Sequence, residues 1–543
     1  MRLLAARKAL PIPPGQRVFD VKLLTSSDVG FRLASRTPRP FPTMKLQQFL
    51  EHHGMSRNPF AEEDAQTDPV FKDACIETTY HPTWDKIYGD PGEPSTAIVL
   101  GEKGAGKTAM RLQIARHLSE FNKTNPDKRA MVVHYDDFNP FLDRFRERLS
   151  RSQRRPDKVL SHWKLWDHID AILCVATTGL IDRLISAPQS PGIEADIVPE
   201  DTKKLDANQK RDLLLLAACY DQSTSNTYAG RWDSLRKAVG FFSWQSWVPL
   251  ITGIVGSLLT CLLVYLLFFR LDANKTVWGS ICGIVFVGFW WPFLWRLLKF
   301  RWLAWKVHHR VRVGNRDTDS LWRTLLHFST TEIANQPLPR KDSTDDRYEM
   351  LMKLQSILTT LGYKGIVVLV DRVDEPHLIN GSAELMKGLV WPMLDNKFLK
   401  HPGLGVKLML PIELTRFIER EDRDFYQRAR LDKQNMIPSF EWTGQALYDV
   451  TNARIRACAA PNAQPSLRGM ISTNVSDPRL VEALRSLRVP RRVLKFLYRT
   501  LVVHCNSYSD EKPNWTVSSE IFESTLALAL RDADAFDRGT GSG

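Results

Sequence analysis

Two apolar runs without a single charge, Trp247 to Phe269 and Val277 to Trp295, lie in the middle of this 543-residue chain. As a helix rising about 1.5 Å per residue, the first run would extend roughly 34 Å, against about 30 Å for the hydrocarbon layer of a bilayer. Only the segment Arg270 to Thr276 separates the two runs, so the helices must be antiparallel neighbours. A pair of crossings returns the chain to its starting side, so the segments before Trp247 and after Trp295 can fold together. The alternative is a hairpin buried in a water-soluble body. Against it stand the tryptophans crowding the rims of the runs, namely Trp244, Trp247, Trp278, Trp290, Trp291, Trp295, Trp302 and Trp305, which read as an aromatic belt.

Positive charge orients the hairpin. Arg231, Arg236 and Lys237 precede it, and Arg296, Lys299, Arg301, Lys306, Arg310 and Arg312 follow it, whereas the connection holds Arg270 and Lys275. The flanks are therefore expected in the cytoplasm and the hairpin in the inner (plasma) membrane, with the lipid bilayer as partner of residues 247–295. Neither run contains Asp, Glu, Lys, Arg or His, which favours anchoring or force transmission over transport. The small-residue pairs Gly253/Ser257 and Gly279/Gly283 suit close helix contact or self-association.

Upstream, the apolar strand Ala97 to Leu100 runs into Gly101-Glu102-Lys103-Gly104-Ala105-Gly106-Lys107-Thr108, and a helix continues from Ala109 to Leu118. Strand, loop and helix are the context that the G-x-x-x-x-G-K-[ST] pattern requires of a phosphate-binding loop. Gly101, Gly104 and Gly106 let the backbone curl with its N–H groups pointing inward. Ala105 and Ala109 complete the candidate binding set. Lys107 would place an ammonium on the β- and γ-phosphates, and Thr108 a hydroxyl on Mg²⁺. A second strand, Ala130 to Tyr135, ends in Asp136-Asp137, so the chain opens like a parallel α/β sheet.

Downstream, the strand Gly365 to Val370 ends in Asp371, at the carboxyl edge where open α/β sheets bind ligands. Asp371 would hold the water shell of Mg²⁺ beside Thr108, making Thr108 and Asp371 the candidate metal pair. Asp374 or, in preference, Glu375 would orient or deprotonate an attacking water. The alternative for both is a solvated acidic turn. No Asn-Lys-x-Asp string stands in a suitable place, which favours ATP over GTP. Pro490-Arg491-Arg492 starts a helix from which Arg491, ahead of Arg492, would sense a γ-phosphate. Arg454, Arg428 and Arg430 are secondary candidates for an arginine finger. His52-His53 and His308-His309 lack Cys or acid partners at metal spacing and read as surface or interface residues.

The net charge of +13 suits an anionic membrane surface or a nucleic acid. Its clustering beside the hairpin favours the membrane, and no helix-turn-helix or zinc pattern argues for nucleic acid. The seven cysteines are scattered without a CxxC pair, which argues against a disulfide framework or zinc site and fits a reducing compartment.

The expected organisation is a basic, Pro-rich 1–43 extension or mis-set start (Met44 being the alternative beginning), a first sheet half at 44–160 and a helical insertion at 161–240. There follow the transmembrane hairpin at 241–300, a helical return at 301–364, the second sheet half at 365–440, a C-terminal helical domain at 441–535 and a tail at 536–543. The expected fold class is α/β, a P-loop NTPase with a mostly parallel sheet, the hairpin inserted in it, and helices at the C-terminus.

This layout resembles the KAP-type P-loop NTPases, an AAA-like, STAND-related branch of membrane-associated ATPases. Gly101 to Thr108, the 247–295 hairpin, Asp371 with Asp374, and Pro490-Arg491-Arg492 carry the resemblance. Its discriminating part is the membrane insertion between glycine loop and acidic strand. Where the family reads Asp-Asp-hydrophobic-Asp-Arg, this chain reads Asp371-Arg372-Val373-Asp374-Glu375. The resemblance implies ATP and Mg²⁺ as ligands, hydrolase activity, and a role in organising membrane-associated complexes with a protein partner or with copies of itself, including exclusion of foreign DNA.

Overall fold

A computed structural model describes residues 43–185, 197, 199–222, 227–267 and 275–537. Residues 1–42 of the expected extension, residues 186–196 and 198 of the expected helical insertion, residues 270–274 of the hairpin connection and residues 538–543 of the tail lie outside them.

Five strands form one sheet: β1 (Ala97–Gly101), β2 (Arg129–Tyr135), β3 (Tyr363–Val370), β4 (Leu404–Pro411) and β5 (Asn435–Ile437). All neighbours are parallel, in the order β2-β3-β4-β1-β5. Every residue of β1 and β4 is buried, as expected of parallel strands covered on both faces. The chain leaves β1 for the far edge at β2 and fills inward through β3 and β4. It then adds β5 on the other side of β1. The carboxyl ends of β1 and β3 thus lie one strand apart although the hairpin separates them in sequence.

The helices used below are α1 (Lys107–Thr124), α2 (Leu165–Ile185), α3 (Ala207–Tyr220), α4 (Tyr228–Val239), α5 (Val248–Tyr265), α6 (Lys275–Arg310), α7 (Thr318–Leu325) and α8 (Asp345–Thr360). The C-terminal set is α9 (Gly444–Ala457), α10 (Asp477–Ser486), α11 (Pro490–Ser507) and α12 (Ser519–Asp537). Strand side chains alternate between faces. Ala97, Val99, Val367 and Leu369 meet Met110, Ile114 and Leu118 of α1. Ile98, Leu100, Ile366 and Val368 belong to the core that α2, α3 and α8 fill with Ile172, Leu214 and Leu354. The 161–240 and 301–364 segments, set apart on sequence grounds, therefore cover one face of the sheet within its own core. Residues 44–60 also differ from expectation. Met44, Phe49, Leu50, Met55 and Phe60 pack with Leu447, Leu484, Leu497 and Phe522 of the C-terminal helices, and Met44 N–H donates to the Tyr508 carbonyl at 3.0 Å. The lead-in thus completes the helical unit.

Two helices, α5 and most of α6, are long and apolar enough to cross a membrane. α6 has 36 residues, which at about 1.5 Å each reach about 54 Å. It continues through the expected boundary at residue 300. Within the hairpin, Trp290 Nε1 donates to Ser257 Oγ at 2.8 Å. A Cβ at Gly256 would stand 2.1 Å from Cγ of Phe289, while one at Gly283 meets nothing within 4 Å. The Gly253/Ser257 pair thus serves contact inside the hairpin. Gly256→Leu is expected to cost about 1–3 kcal/mol by overpacking, seen as a lower melting temperature in detergent. An unchanged melting temperature would refute this packing.

Arg296 pins the hairpin to the body, donating to Leu326 O at 2.5 Å, Phe328 O at 2.9 Å and the Ser246 carbonyl. Arg148 accepts the end of α6 by donating to Val311 O at 2.7 Å and Gly314 O at 2.9 Å.

Lys407 sits in the middle of β4, buried, with Nζ donating to Ile87 O at 2.6 Å and Tyr88 O at 3.0 Å. Burial brings its pKa down to about 7. The unfolded chain therefore holds this proton up to about pH 10.4, and the folded chain releases it earlier. Stability at this site rises with pH between those values. Lys407→Met is expected to flatten that rise in urea-unfolding curves; a variant that keeps the wild-type slope would contradict it.

Candidate functional site

The cleft at the carboxyl edge of the sheet is built first by the glycine loop. β1 ends at Gly101, and the chain then turns through Gly104 at φ 86° and Gly106 at φ 98°, backbone conformations that favour glycine. α1 starts at Lys107, so its first N–H groups have no intrahelical partner, and its first residues line the cleft. Ala105 N–H donates to Glu102 O at 3.1 Å, and Trp442 Nε1 donates to Ala105 O at 2.7 Å, fixing the loop from both sides. Ala109 continues the lining on the first turn of α1.

Lys107 turns back on its own loop, with Nζ donating to Gly101 O at 2.7 Å and Glu102 O at 3.0 Å. Burial lowers its pKa, opposed by the negative charges of Asp371, Asp374 and Glu413. The next residue joins the two halves: Thr108 Oγ1 donates to Asp371 Oδ2 at 2.9 Å. Arg111 Nε approaches the same oxygen at 3.3 Å, and its guanidinium also pairs with Asp136, the residue that follows β2. Burial raises the pKa of Asp371, with Arg111 and the Thr108 hydroxyl opposing it.

Asp374 and Glu375 also line the cleft. Arg372 adopts φ 59° and brings its guanidinium 3.4 Å from Glu375 Oε2. Glu375 is 57% exposed, and partial burial raises its pKa against the charge of Arg372. On the opposite wall, α11 points its N-terminus at the glycine loop. Arg491 N–H lies 3.4 Å from Gly104 O, and a Cβ on Gly104 would stand 2.7 Å from that of Arg491. Arg492 does not line the cleft; its guanidinium lies 4.0 Å from Glu102 Oε2 at the outer side of the loop and 2.5 Å from Asp537 Oδ1.

The structure therefore brings Gly104, Gly106, Lys107, Thr108, Ala109, Asp371, Asp374, Glu375 and Arg491 around one cleft, whereas Gly101 and Ala105 are buried behind it, Gly101 O accepting from Lys107 Nζ and Ala105 packing in the core with Met110. Arg454 lines the cleft with its guanidinium engaged. It is buried, donating to Asp68 Oδ2 at 2.5 Å and Pro59 O at 3.0 Å, and so ties residues 59–68 to α9. Arg428 and Arg430 do not line the cleft.

Sequence reasoning missed several contributors. Arg111 lies one helical turn after Lys107 and Thr108, a spacing that places it on their face of α1. Asp136 was visible as a strand end without its partner. Glu413 follows β4, the strand between β1 and β3, and its nearness to Lys107 depends on the strand order. The remaining wall comes from the lead-in and the C-terminal helices, through Ala65, Phe71, His81, Val450 and Leu494. The His81 ring stacks on Phe440 with centroids 3.7 Å apart, and burial drives its pKa down to about 4, keeping it neutral.

Elsewhere, His52 stacks on Trp515, and His308 Nδ1 meets the Arg316 carbonyl at 2.5 Å. All seven cysteines are free. Among the described residues no group of three or more His, Cys, Asp or Glu is arranged to hold a metal ion.

Fold and cleft define an α/β protein whose all-parallel sheet collects a glycine loop, an acidic strand end and a helix N-terminus at one edge, and which carries two helices apolar enough for a membrane. Comparison with protein-family models, with curated proteins and with solved structures finds no match in any of the three.

Proposed function

We propose that the chain is a membrane-anchored P-loop ATPase that binds Mg-ATP in this cleft and couples nucleotide state to a membrane-associated assembly, with its sheet domain on the cytoplasmic side. The observation that carries this reading is the 2.9 Å hydrogen bond from Thr108 to Asp371, which joins residues 263 positions apart across the hairpin insertion. A glycine loop at a helix N-terminus is a cradle for anionic phosphate. Lys107, now satisfied by carbonyls of its own loop, would exchange them for phosphate oxygens.

The residues also fit Mg²⁺. Mg²⁺ keeps several waters and takes phosphate oxygens, so one hydroxyl and one carboxylate suffice from the protein. When bound, the ion would supply charge neutralisation at the β- and γ-phosphates. Arg491 faces the loop from α11, so a change at the γ-phosphate would reach the C-terminal helices through it. Glu375 is the candidate to orient water, with Asp374 beside it.

A specific contact favours a second reading, a nucleotide-gated scaffold with negligible turnover. The Arg372 guanidinium lies against Glu375 and lowers its availability as a base. Nucleotide binding and hydrolysis in detergent, measured side by side, separate the two. Asp371→Asn is expected to weaken Mg-ATP binding, and Glu375→Gln to retain binding while turnover falls by about 10²-fold or more. Tight binding with wild-type turnover already at background supports the scaffold. A chain that binds no nucleotide overturns both readings. Stimulation of hydrolysis by DNA with a steep salt dependence would instead identify a tethered DNA-handling enzyme.

A further inference from the structure

β3 ends at Val370, and the segment that carries the acidic residues then folds back on itself. Glu375 N–H donates to Arg372 O at 3.2 Å, the N–H groups of Ile379 and Asn380 both donate to Pro376 O at 2.8 Å, and Gly381 N–H donates to Asp374 O at 3.0 Å. Leu378 and Ile379 anchor the turn in the core. Pro376, whose ring fixes its φ, stands between Glu375 and His377. Whatever holds His377 therefore also holds Glu375 at the mouth of the cleft.

His377 fastens this turn to the helix Asn139–Arg148, which follows β2, the strand beside β3. Its backbone N–H donates to Asn139 Oδ1 at 3.1 Å, and its ring Nδ1 lies 2.7 Å from the same oxygen. The backbone donor identifies that Asn139 atom as the carbonyl oxygen rather than the amide nitrogen. Nδ1 needs a proton to meet it. On the other side of the ring, Nε2 lies 3.0 Å from Asp143 Oδ1, one turn further along the helix. A neutral imidazole that donates from Nδ1 presents a lone pair at Nε2, and here that lone pair would face a carboxylate. Only the imidazolium has a proton for both partners.

The neighbouring charges do not supply a substitute. Arg144 donates to Gln222, Arg146 to the Arg154 carbonyl, and Arg148 to the Val311 and Gly314 carbonyls. Asp137 accepts from Asn139 N–H at 3.2 Å. Glu147, exposed one turn beyond Asp143, adds negative charge to the same helix face. On the turn itself Arg372 lies against Glu375, and Asp374 lines the cleft.

We propose that His377 is a positioning residue for hydrolysis: as the imidazolium it clamps the turn that presents Glu375, and on losing its second proton it releases the Asp143 side of the clamp. The role rests on the ATPase reading above. An imidazole ordinarily changes charge between about pH 6 and 7, so turnover carries the dependence and nucleotide binding does not.

The test measures turnover and nucleotide affinity of the full chain in detergent at about pH 6 and about pH 8. Asp143→Asn is the informative variant. Its side-chain amide can accept from the imidazolium and donate to the neutral ring, so the clamp persists in both states. Glu375 is common to both chains, so the ratio of wild-type to Asp143→Asn turnover isolates His377. That ratio is expected to fall by about threefold to fivefold over this rise in pH, the scale of an exposed charge pair. His377→Ala should turn over about threefold to fivefold more slowly than Asp143→Asn at both values, with nucleotide affinity unchanged. A ratio that stays level or rises with pH overturns the proposal. So does His377→Ala turnover equal to that of Asp143→Asn, or a loss in His377→Ala that lies in affinity, the mark of a purely structural contact. A wild type without turnover overturns the hydrolytic reading and this role together.

Discussion

Arg111→Ala is expected to destabilise the chain by about 3–5 kcal/mol, the usual cost of removing one member of a buried ion pair. Arg111 is buried and stands between Asp371 and Asp136, so its loss leaves two carboxylates from adjacent strand ends without the guanidinium that pairs with both. The pH dependence has a definite sign. Burial already raises the pKa of Asp371 in the folded chain. Without Arg111, which opposes that rise, it would climb further. A carboxyl with a raised folded pKa binds its proton more tightly in the native state, so stability falls as pH rises from about 4 through the folded value. The deficit of Arg111→Ala relative to wild type should therefore be larger at about pH 7.5 than at about pH 5. Urea unfolding at both values reads it. A deficit below about 1 kcal/mol, or one that grows on acidification, would show that Arg111 does not compensate Asp371.

Lys107→Met is expected to lower ATP turnover by about 10²–10³-fold, the scale seen when one preorganised charge donor is removed from a developing anion. The side chain's neighbours explain why the effect should be functional. Nζ contacts two carbonyls of its own loop, and the loop is held independently by Trp442 at Ala105 and by Phe440 N–H donating to Leu100 O at 2.8 Å. Methionine preserves the unbranched shape. The melting temperature of the variant should therefore stay close to that of wild type while nucleotide affinity drops. Turnover equal to wild type in a folded variant would remove the phosphate-binding role of the loop.

Much of the frame was legible in local pattern. The strands expected to end at Leu100, Tyr135 and Val370 are apolar runs of the kind a covered parallel sheet accommodates, and each occurs where expected. The helical insertion expected at 161–240 holds α2, α3 and α4, and the glycine loop has the strand before it and the helix after it. β5 was not legible. Its residues Asn435 to Ile437 are short and mixed in polarity, and they pair only because the edge of β1 is open to them. The continuation of α6 to Arg310 was hidden for a related reason. Hydropathy ends a run at the first charges, whereas backbone hydrogen bonding carries the helix through Arg296 and Lys299 while Phe300, Leu303 and Val307 pack on the body.

The site divides in the same way. Gly104, Gly106, Lys107 and Thr108 act through neighbouring backbone, so their spacing alone determined that the loop would curl and open a helix. Asp371 at a strand end and the charge-free spans are likewise consequences of short-range composition. Tertiary structure alone decided that Thr108 meets Asp371 through the β2-β3-β4-β1-β5 order, and that Arg111 bridges two strand ends. It also decided that residues 44–60 belong with α9 to α12, and that Arg491 lines the cleft against Gly104 while Arg492 lies between Glu102 and Asp537. The physical reason is range. Propensity and periodicity act over one or two turns of chain, whereas contacts between residues hundreds of positions apart are chosen by which buried faces find one another once the sheet has formed.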